Sequence, residues 1–321
     1  MKKIYITRKL EEKIVEQLKQ NYHVTMWDHA EEAVPREEFL NKVAGVDGIL
    51  CMLTDKIDSE LLNAAGENLK TVSTMSVGFD HIDTQELKDR GITLGYTPGV
   101  LSDSVADIAV TLMLNAGRRI PEATRTVPKG SWGAWSPYWM TGQDLSGATV
   151  GLVGMGKIAE AVAKRLKGFD CNIIYHTRTP KPELEAKLGI VQRPLDELLE
   201  TSDFVSIHAP LTEETKDMCD SEMFHKMKSS GVFINTSRGG LVNQDDLYIA
   251  LSSGDIYAAG LDVTTPEPLP TDSLLLELDN CLVLPHIGSA SIRTRAKMGD
   301  MSAKNLVAGL ESTEFVHQVK L

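Results

Sequence analysis

Short apolar segments alternate with amphipathic ones along roughly the first third of the chain. The apolar segments are rich in β-branched side chains, as is typical of strands buried on both faces. Residues 10–20 repeat apolar side chains at helical spacing, and Pro35 is predicted to open another helix that ends at Gly45. Strands that alternate with helices predict a parallel sheet covered on both faces. The predicted strands are residues 2–8, 23–28, 46–53, 69–77 and 92–97.

A second alternating series begins at Ala148. Before it, the break at Pro98–Gly99 is followed by a helical repeat that Ser102 is suited to cap. The series predicts a doubly wound sheet of about six parallel strands, the architecture of nucleotide-binding domains. A last helix is predicted over residues 290–310. The predicted strands are residues 148–154, 171–177, 203–210, 231–237, 257–263 and 280–287.

Composition narrows the class of protein. A chain of 321 residues exceeds what one hydrophobic core usually serves, so two α/β domains are expected. The net charge of −12 argues against a general affinity for nucleic acid or anionic membranes. No apolar stretch is long enough for a membrane span or a signal peptide, so a cytoplasmic protein is expected. No metal site is predicted, and reduced, buried thiols are expected at Cys51, Cys171, Cys219 and Cys281.

A glycine-rich sequence joins the strand at residues 148–154 to a helix. It reads Gly154-Met155-Gly156-Lys157-Ile158-Ala159, the G-x-G-x-x-A pattern. The first glycine makes a tight turn, the second lets the backbone approach a pyrophosphate, and the third position needs a small residue. The pyrophosphate would bind amide groups at the helix N-terminus. A turn without a ligand is the alternative, but a pattern placed between strand and helix favours dinucleotide binding.

The end of the next strand bears on the choice of dinucleotide. Enzymes that select NAD usually carry an acid there, which binds the ribose 2′-hydroxyl. Here residues 175–179 read Tyr-His-Thr-Arg-Thr and contain no acid. Arg178 could pair with a 2′-phosphate, and Thr177 or Thr179 could add a hydroxyl, although an arginine after a strand can also be an ordinary solvated residue. The segment therefore predicts NADPH as the cofactor, with NADH as a weaker one.

Three side chains capable of chemistry lie near the C-terminal ends of later predicted strands: Arg238, Glu267 and His286. Ligands of open α/β sheets bind outside the carboxyl ends of the strands, where all three are expected. Singly, they could be a surface loop arginine, a solvated turn acid and a helix cap. Together they supply what the reduction of a keto acid needs: a cation for the carboxylate, a proton donor near neutral pH, and a carboxylate that tunes the donor.

These motifs, in this order, resemble those of the D-isomer-specific 2-hydroxyacid dehydrogenases, and most nearly the glyoxylate/hydroxypyruvate reductases of that family. The resemblance rests on the glycine loop and on SRGGLVNQDDLYIALSSG (237–254), AAGLDVTTPEPLP (258–270), LPHIGSAS (284–291) and STMSVGFDHID (73–83). It implies two doubly wound parallel-sheet domains with a cleft between them. A flavodoxin-like substrate domain would comprise residues 1–98 and 287–321, and an inserted Rossmann cofactor domain residues 99–286.

The resemblance also implies a role for each candidate residue. Arg238 would pair with the substrate carboxylate, His286 would protonate the carbonyl oxygen, and Glu267 would orient His286. Asp262 would hold the nicotinamide carboxamide. Gly240 stands where many relatives carry a larger residue, and this difference does not affect the proposed chemistry. The implied substrate contacts also include Leu53, Thr54, Val77, Gly78 and Ser289. The implied cofactor contacts are Gly154, Met155, Gly156, Lys157, Ile158, Thr177, Arg178, Thr179, Ala209, Thr236, Asp262 and Gly288.

Residues 128–142 fit no regular pattern and are predicted to form a loop, which holds three of the four tryptophans: Trp132, Trp135 and Trp139. The family resemblance implies a homodimer formed near this region. The indoles would then be packed in the dimer interface, where aromatic side chains are enriched. A sharper hypothesis is that Trp135 reaches the substrate pocket of the partner.

Three functions compete at this stage. The first is NADPH-dependent reduction of glyoxylate to glycolate and of hydroxypyruvate to D-glycerate. The second is another reaction of the same family, with D-lactate, a broader range of 2-keto acids or phosphoglycerate. The third is a corepressor-like protein that senses nucleotides, which would need a partner groove and usually has disordered tails. The sequence pattern predicts no such tails. The small molecule that the protein is expected to bind is a 2-keto acid substrate.

Overall fold

Strands and helices alternate along most of the chain, and the computed structural model describes residues 1–321. The strands are β1 (Lys3–Ile6), β2 (His23–Met26), β3 (Gly48–Cys51), β4 (Thr71–Thr74), β5 (Thr93–Gly95), β6 (Thr149–Val153), β7 (Asn172–His176), β8 (Val191–Gln192), β9 (Phe204–Ile207), β10 (Val232–Asn235), β11 (Ala258–Leu261) and β12 (Cys281–Val283). The helices are α1 (Glu12–Lys19), α2 (Arg36–Lys42), α3 (Ser59–Ala65), α4 (Thr84–Asp89), α5 (Ser102–Gly117), α6 (Ile120–Thr126), α7 (Lys157–Leu166), α8 (Pro182–Leu188), α9 (Leu195–Thr201), α10 (Ser221–Lys226), α11 (Gln244–Ser253) and α12 (Ile292–Glu311).

The first unit comprises Met1–Leu101 and Ser291–Leu321. Its five strands form a parallel sheet in the order β2-β1-β3-β4-β5, with Ile6 paired to Leu50. Strands β3 and β4 are buried along their whole length, which is why their sequences read as continuous apolar or small residues rather than alternating ones. The last helix, α12, packs on this sheet. Gly309 makes that close approach possible, because a Cβ there would lie 2.1 Å from the Thr71 hydroxyl.

The second unit comprises Ser102–Ala290. Its seven strands are all parallel, in the order β12-β11-β10-β9-β6-β7-β8. One hydrophobic cluster packs around α5 and α7 on one face, and another packs around α9, α10 and α11 on the other. The strand order reverses between β6 and β9. Ligands of doubly wound sheets bind at such a switch point, outside the carboxyl ends of the strands.

The two doubly wound sheets predicted from the sequence are confirmed, with small differences. The second sheet has a seventh strand, β8, which was not predicted because two residues are too few for a periodic pattern. Helix α6 was also missed, because none of its residues is buried and it therefore has no apolar stripe. The helix after Pro35 ends at Lys42 rather than Gly45. Residues 128–142 form a loop, as predicted.

All four cysteines are free. Cys51 and Cys219 are buried, but the prediction of buried thiols was wrong for Cys171 and Cys281, which are half-buried. The partial burial still raises the pKa of Cys171 to about 11 and that of Cys281 to about 12, so both thiols stay protonated at neutral pH. No group of three or more histidine, cysteine or acidic side chains could hold a metal ion. None of the helices combines the length and the apolar character that crossing a membrane requires.

Candidate active site

The glycine loop lies between β6 and α7, at the switch point of the second sheet. Gly154 has a φ of +94°, and a Cβ there would lie 2.6 Å from the carbonyl oxygen of His208. Only glycine fits both conditions. Gly156 precedes α7 and has open space where a Cβ would point, whereas the buried Ala159 packs the helix close. The loop therefore forms an open cradle in front of helical amide groups, which suits a dinucleotide pyrophosphate.

Two buried polar atoms at the same edge of the sheet lack a partner. They are Nδ1 of His208, just after β9, and Oγ1 of Thr236, just after β10. Ile207 pairs with Asn235, so the residues that follow them, His208 and Thr236, are neighbours at the carboxyl ends of adjacent strands. Buried polar atoms are nearly always hydrogen-bonded, so the pair marks a place where a ligand supplies the missing partners. The pair fits a cofactor bound along this edge.

His208 was not identified from the sequence, although the neighbouring Ala209 was. Its Nε2 lies 3.0 Å from the Ser206 hydroxyl, and burial lowers the pKa of its imidazole to about 4. The ring is therefore neutral at physiological pH, and one nitrogen donates while the other accepts. The signal that could have revealed it is its position as the first residue after a buried strand.

The segment after β7 shows no acid at the position that usually binds a ribose. Thr177 is half-buried, and its carbonyl accepts a hydrogen bond of 2.9 Å from the Gln192 amide. Arg178 and Thr179 are exposed, and Arg178 forms no ion pair within 4.0 Å. Arg193, another arginine of the same unit, is by contrast paired with Glu197 at 2.9 Å. Arg178 is thus a cation available to an anionic ligand.

Arg238 is held by its own loop after β10. The fully buried Asn235 donates 2.8 Å to the carbonyl of Arg238 and accepts 3.0 Å from the Ser237 amide. The Ser237 hydroxyl donates 2.9 Å to the Ile207 carbonyl on the next strand. The guanidinium itself donates 2.8 Å to the Ser237 carbonyl. These hydrogen bonds fix the position from which the Arg238 side chain extends. Asn235 makes two of them and was not predicted from the sequence.

Glu267 and His286 form the central pair of the site. His286 Nδ1 lies 2.8 Å from Oε2 of Glu267, whose other oxygen accepts 3.1 Å from the Thr264 amide. Burial opposes ionisation of this carboxyl group, but the hydrogen bond and charge of His286, with a contribution from Arg238, hold the pKa of Glu267 below its usual value. An ionised Glu267 accepts a hydrogen bond from Nδ1–H of His286, which leaves Nε2 as the nitrogen that can exchange a proton with a ligand.

Asp262 lies directly beneath the His286 loop. Its Oδ1 accepts 2.8 Å from the Ile287 amide, its Oδ2 accepts 2.7 Å from the Gly288 amide, and the side chain is buried. Burial raises the pKa of Asp262, although the two amides oppose that shift. Each carboxylate oxygen can accept a further hydrogen bond. The predicted contact with a nicotinamide carboxamide therefore stays a prediction, while the clamp on residues 287 and 288 is the role that the contacts define.

Gly239 brings the Arg238 loop against the loop that carries Glu267. A Cβ at Gly239 would lie 1.9 Å from the Thr264 carbonyl oxygen, which is backbone and cannot move aside cheaply. We expect Gly239→Ala to push Arg238 and Glu267 apart and to lower kcat/KM by about 10²-fold or more, because a misplacement of about 1 Å can cost that much. Steady-state kinetics with any accepted keto acid would measure the loss.

Gly240→Ala is the matched control for this substitution. A Cβ at Gly240 would meet the side chain of Leu211 at 3.1 Å, and a leucine side chain can shift. The control should therefore keep kcat/KM within about threefold of the parent, as expected for a surface change that moves no backbone. Equal losses in the two variants would contradict the role given to the Gly239 contact.

The remaining predicted substrate residues are divided between the units. Leu53, Val77 and Gly78 belong to the first unit, in the segments that follow β3 and β4, and all three are half-buried. The Ser76 hydroxyl donates 2.7 Å to the Gly78 carbonyl, which orders that turn. Ser289 belongs to the second unit, is buried, and follows the Asp262 clamp. The structure thus gathers Arg238, Glu267, Asp262 and His286 in one unit, while Leu53, Val77 and Gly78 belong to the other.

Comparison with known proteins agrees with this geometry. Residues 110–288 match the model of the D-isomer specific 2-hydroxyacid dehydrogenase, NAD binding domain. The chain is 47% identical over 322 residues to a glyoxylate reductase/hydroxypyruvate reductase of Homo sapiens, covering 99% of this chain and 98% of that one. The TT0316 protein of Thermus thermophilus has a structure with a TM-score of 0.92 at 40% identity, covering 99% of this chain and 100% of that one.

A further solved structure bears on the ligands. It is an NADPH-dependent glyoxylate/hydroxypyruvate reductase of Sinorhizobium meliloti in complex with NADP and malonate. Its TM-score is 0.84 at 33% identity, and the match covers 99% of this chain and 96% of that one. The fold and the site thus define an NAD(P)-dependent oxidoreductase. More particularly, the chain belongs to the D-isomer-specific 2-hydroxyacid dehydrogenase family, and its relatives reduce glyoxylate and hydroxypyruvate, as their names state.

Proposed function

We propose that this protein reduces glyoxylate to glycolate and hydroxypyruvate to D-glycerate, with NADPH as the preferred cofactor and His286 as the proton donor. The observation that carries the proposal is the 2.8 Å contact between His286 and the ionised Glu267, at the carboxyl edge of a sheet that also carries a dinucleotide cradle. The names of the relatives that cover nearly the whole chain support the choice of substrates.

Two side chains act on the substrate, and a third acts through one of them. Arg238 pairs with the carboxylate of the keto acid and draws electron density toward the carbonyl oxygen. His286 gives its Nε2 proton to that oxygen as negative charge develops on it. Glu267 accepts the Nδ1 hydrogen bond throughout, so it fixes the tautomer of His286 and stabilises its charged form. The bound NADPH supplies the hydride.

Further substrate residues are proposed in the first unit. The backbone amides of Val77 and Gly78 bind the substrate carboxylate, and Leu53 shapes the space around the rest of the molecule. The unit as a whole is then the substrate-binding domain, and the second unit is the cofactor domain. Ser289, next to Gly288, would contact the nicotinamide and the substrate.

The proposed cofactor residues include those of the glycine cradle and of the unpartnered buried atoms, which support the proposal. The amides at the start of α7, from Gly156 through Ile158, hold the pyrophosphate. His208 and Thr236 offer the two hydrogen-bonding atoms that lack partners, and Ala209 lies beside them. Gly154 and Met155 shape the turn beneath, and Asp262 is the candidate for the carboxamide. Thr177, Arg178 and Thr179 hold the 2′-phosphate.

The 2′-phosphate contact gives a sharp test of cofactor choice. We expect Arg178→Ala to raise KM for NADPH by about 10-fold or more, because a hydrogen bond to a charged group is worth about 1.5–3 kcal/mol. KM for NADH, which has no 2′-phosphate, should change by less than about twofold. Arg118→Ala, which removes an exposed arginine paired with Asp144 in the same unit, is the control. An equal effect of Arg178→Ala on both cofactors would refute the assignment.

The proposal as a whole is tested by the loss of nicotinamide absorbance with purified protein. Glyoxylate, hydroxypyruvate and pyruvate are each supplied with NADPH and then with NADH. Rapid oxidation of NADPH with the first two acids is the expected result. Turnover with NADH but not with NADPH would overturn the interpretation of residues 175–179. It would not affect the roles proposed for the catalytic residues. Cofactor binding without turnover of any keto acid would overturn the substrate assignment.

We propose further that the protein is a homodimer and that Trp135 reaches the substrate pocket of the partner. The side chain of Trp135 is 86% exposed, and its neighbour Tyr138 is 85% exposed, in a loop that would be costly to leave in water. We expect Trp135→Ala to change the ratio of kcat/KM for hydroxypyruvate over pyruvate by about 5- to 20-fold, the scale of one apolar pocket contact. Tyr138→Ala is the matched control. An unchanged ratio in a variant that is still dimeric by light scattering would exclude this role.

A further inference from the structure

Arg8 stands at the carboxyl edge of the first sheet. Strand β1 ends at Ile6, and β3, its neighbour in the sheet, ends at Cys51. The residues that follow these two strands, 7–8 and 52–55, therefore lie side by side. Strand β3 separates β1 from β4, so this corner adjoins the segment of Val77 and Gly78. Ligands of open parallel sheets bind along such an edge.

A buried aspartate orders this corner without pairing to the arginine. Asp55 is 4% exposed and accepts hydrogen bonds from the Thr7 hydroxyl and, at 2.7 Å, from the Met52 amide. The charge of Arg8 contributes to holding the pKa of Asp55 down against the larger effect of burial, which raises it. No ion pair within 4.0 Å joins Arg8 to Asp55 or to any other carboxylate. The loop is thus held by Thr7 and the backbone.

The guanidinium of Arg8 is incompletely satisfied. One Nη2 hydrogen bond of 3.2 Å goes to the Thr54 hydroxyl. Its Nε is buried and has no hydrogen-bond partner. A buried donor without an acceptor is costly, and more so on a charged group. The guanidinium is also half-buried rather than spread into solvent. An oxygen atom of a ligand bound beside Thr54 would supply the acceptor.

We propose that Arg8 is a specificity-determining residue, which donates a hydrogen bond to an oxygen on the third carbon of the substrate. The inference rests on the proposed function, in which the carboxylate binds at the end of β4. In this proposal, a keto acid whose carboxylate binds there would extend its third carbon past β3, toward Thr54 and Arg8. Glyoxylate has no third carbon, pyruvate carries a methyl group there, and hydroxypyruvate carries a hydroxyl. Only the last gives Arg8 an acceptor.

The test compares substrates within one variant. In Arg8→Met, kcat/KM for hydroxypyruvate relative to that for glyoxylate should fall by about 10- to 100-fold, the effect of one charge-assisted hydrogen bond. In Arg8→Lys the same ratio should fall less, because lysine keeps the positive charge but lacks the several fixed N–H donors of the guanidinium. Lys9→Met is the matched control: Lys9 is the next residue, is exposed, and pairs with Asp28. It removes the same charge from the same segment and should keep the ratio.

Binding provides a second readout that does not need turnover. Calorimetry with NADP⁺ present would compare D-glycerate with glycolate, and the preference for D-glycerate should disappear in Arg8→Met. The proposal would be overturned if Arg8→Met lowered kcat/KM equally for hydroxypyruvate and glyoxylate, or if the binding preference for D-glycerate survived the substitution. Arg8 would then have only a structural role, in holding residues 52–55. A parent protein that turns over neither acid, yet shows an Arg8-dependent preference for D-glycerate, would overturn the proposed reaction but uphold Arg8.

Discussion

Substituting asparagine for His286 should lower kcat for keto-acid reduction by about 10²–10⁴-fold, the usual contribution of a positioned proton donor. Asparagine is the informative replacement, because His286 has a φ of +53°, and asparagine tolerates this left-handed conformation better than most residues. The loop can therefore keep its course while the imidazole is lost. Stopped-flow measurement of a single turnover would report the chemical step directly.

The control for this result is cofactor binding. The Kd of NADPH, followed by nicotinamide fluorescence, should stay within about threefold of the parent, because Asp262 rather than His286 holds the backbone of residues 287 and 288. A variant that binds cofactor normally and has lost turnover places His286 in the reaction. A variant that retains more than about a tenth of the parent kcat contradicts the proton-donor role.

Removing the cation at position 238 should have the other large effect. Arg238→Met is expected to lower kcat/KM by about 10³-fold or more, since it loses both the pairing with a carboxylate and the stabilisation of charge on the carbonyl oxygen. Arg238→Lys should recover only part of this, because a lysine cannot make two parallel hydrogen bonds to a carboxylate. Initial rates over a wide range of substrate concentration would separate the two contributions.

A matched arginine shows whether the loss is specific. Arg125 belongs to the same unit, is exposed, and pairs only with Asp279 on the surface. Arg125→Met should leave kcat/KM within about twofold of the parent, as surface substitutions usually do. Thermal unfolding of all variants would show that the fold is kept. A similar rate for Arg238→Met and Arg125→Met would exclude Arg238 from the reaction.

The sequence predicted most of what local patterns encode. Alternating buried strands and helices identified both sheets, because strands covered on two faces read as apolar runs. Gly154 and Gly156 were identified because a tight turn at a pyrophosphate leaves a fixed spacing. Arg238, Glu267 and His286 were chosen as candidates because each lies near the end of a predicted strand, and strand ends in a parallel sheet meet at one edge. The structure brings Glu267 and His286 into contact.

Other features depend on contacts between distant parts of the chain, and no local pattern contains them. The contact of Gly239 with Thr264, the fixing of the Arg238 loop by Asn235, and the unpartnered nitrogen of His208 are of this kind. Asp262 is instructive, since an aspartate after a strand was expected to face the cofactor. The structure shows both of its oxygens on backbone amides, and nothing in the sequence around it says which amides a buried carboxylate will meet.

The contact of Asp262 with residues 287 and 288 also bears on how this enzyme could be altered. Asp262 binds the Ile287 amide, a group that every amino acid except proline carries. Replacing Ile287 by any residue except proline therefore keeps the amide that Asp262 binds, next to His286. Position 288 is closed to such replacement, because a Cβ there would lie 2.9 Å from Oδ2 of Asp262. Substitutions that alter the substrate range are thus expected at position 287, whereas position 288 has to remain glycine.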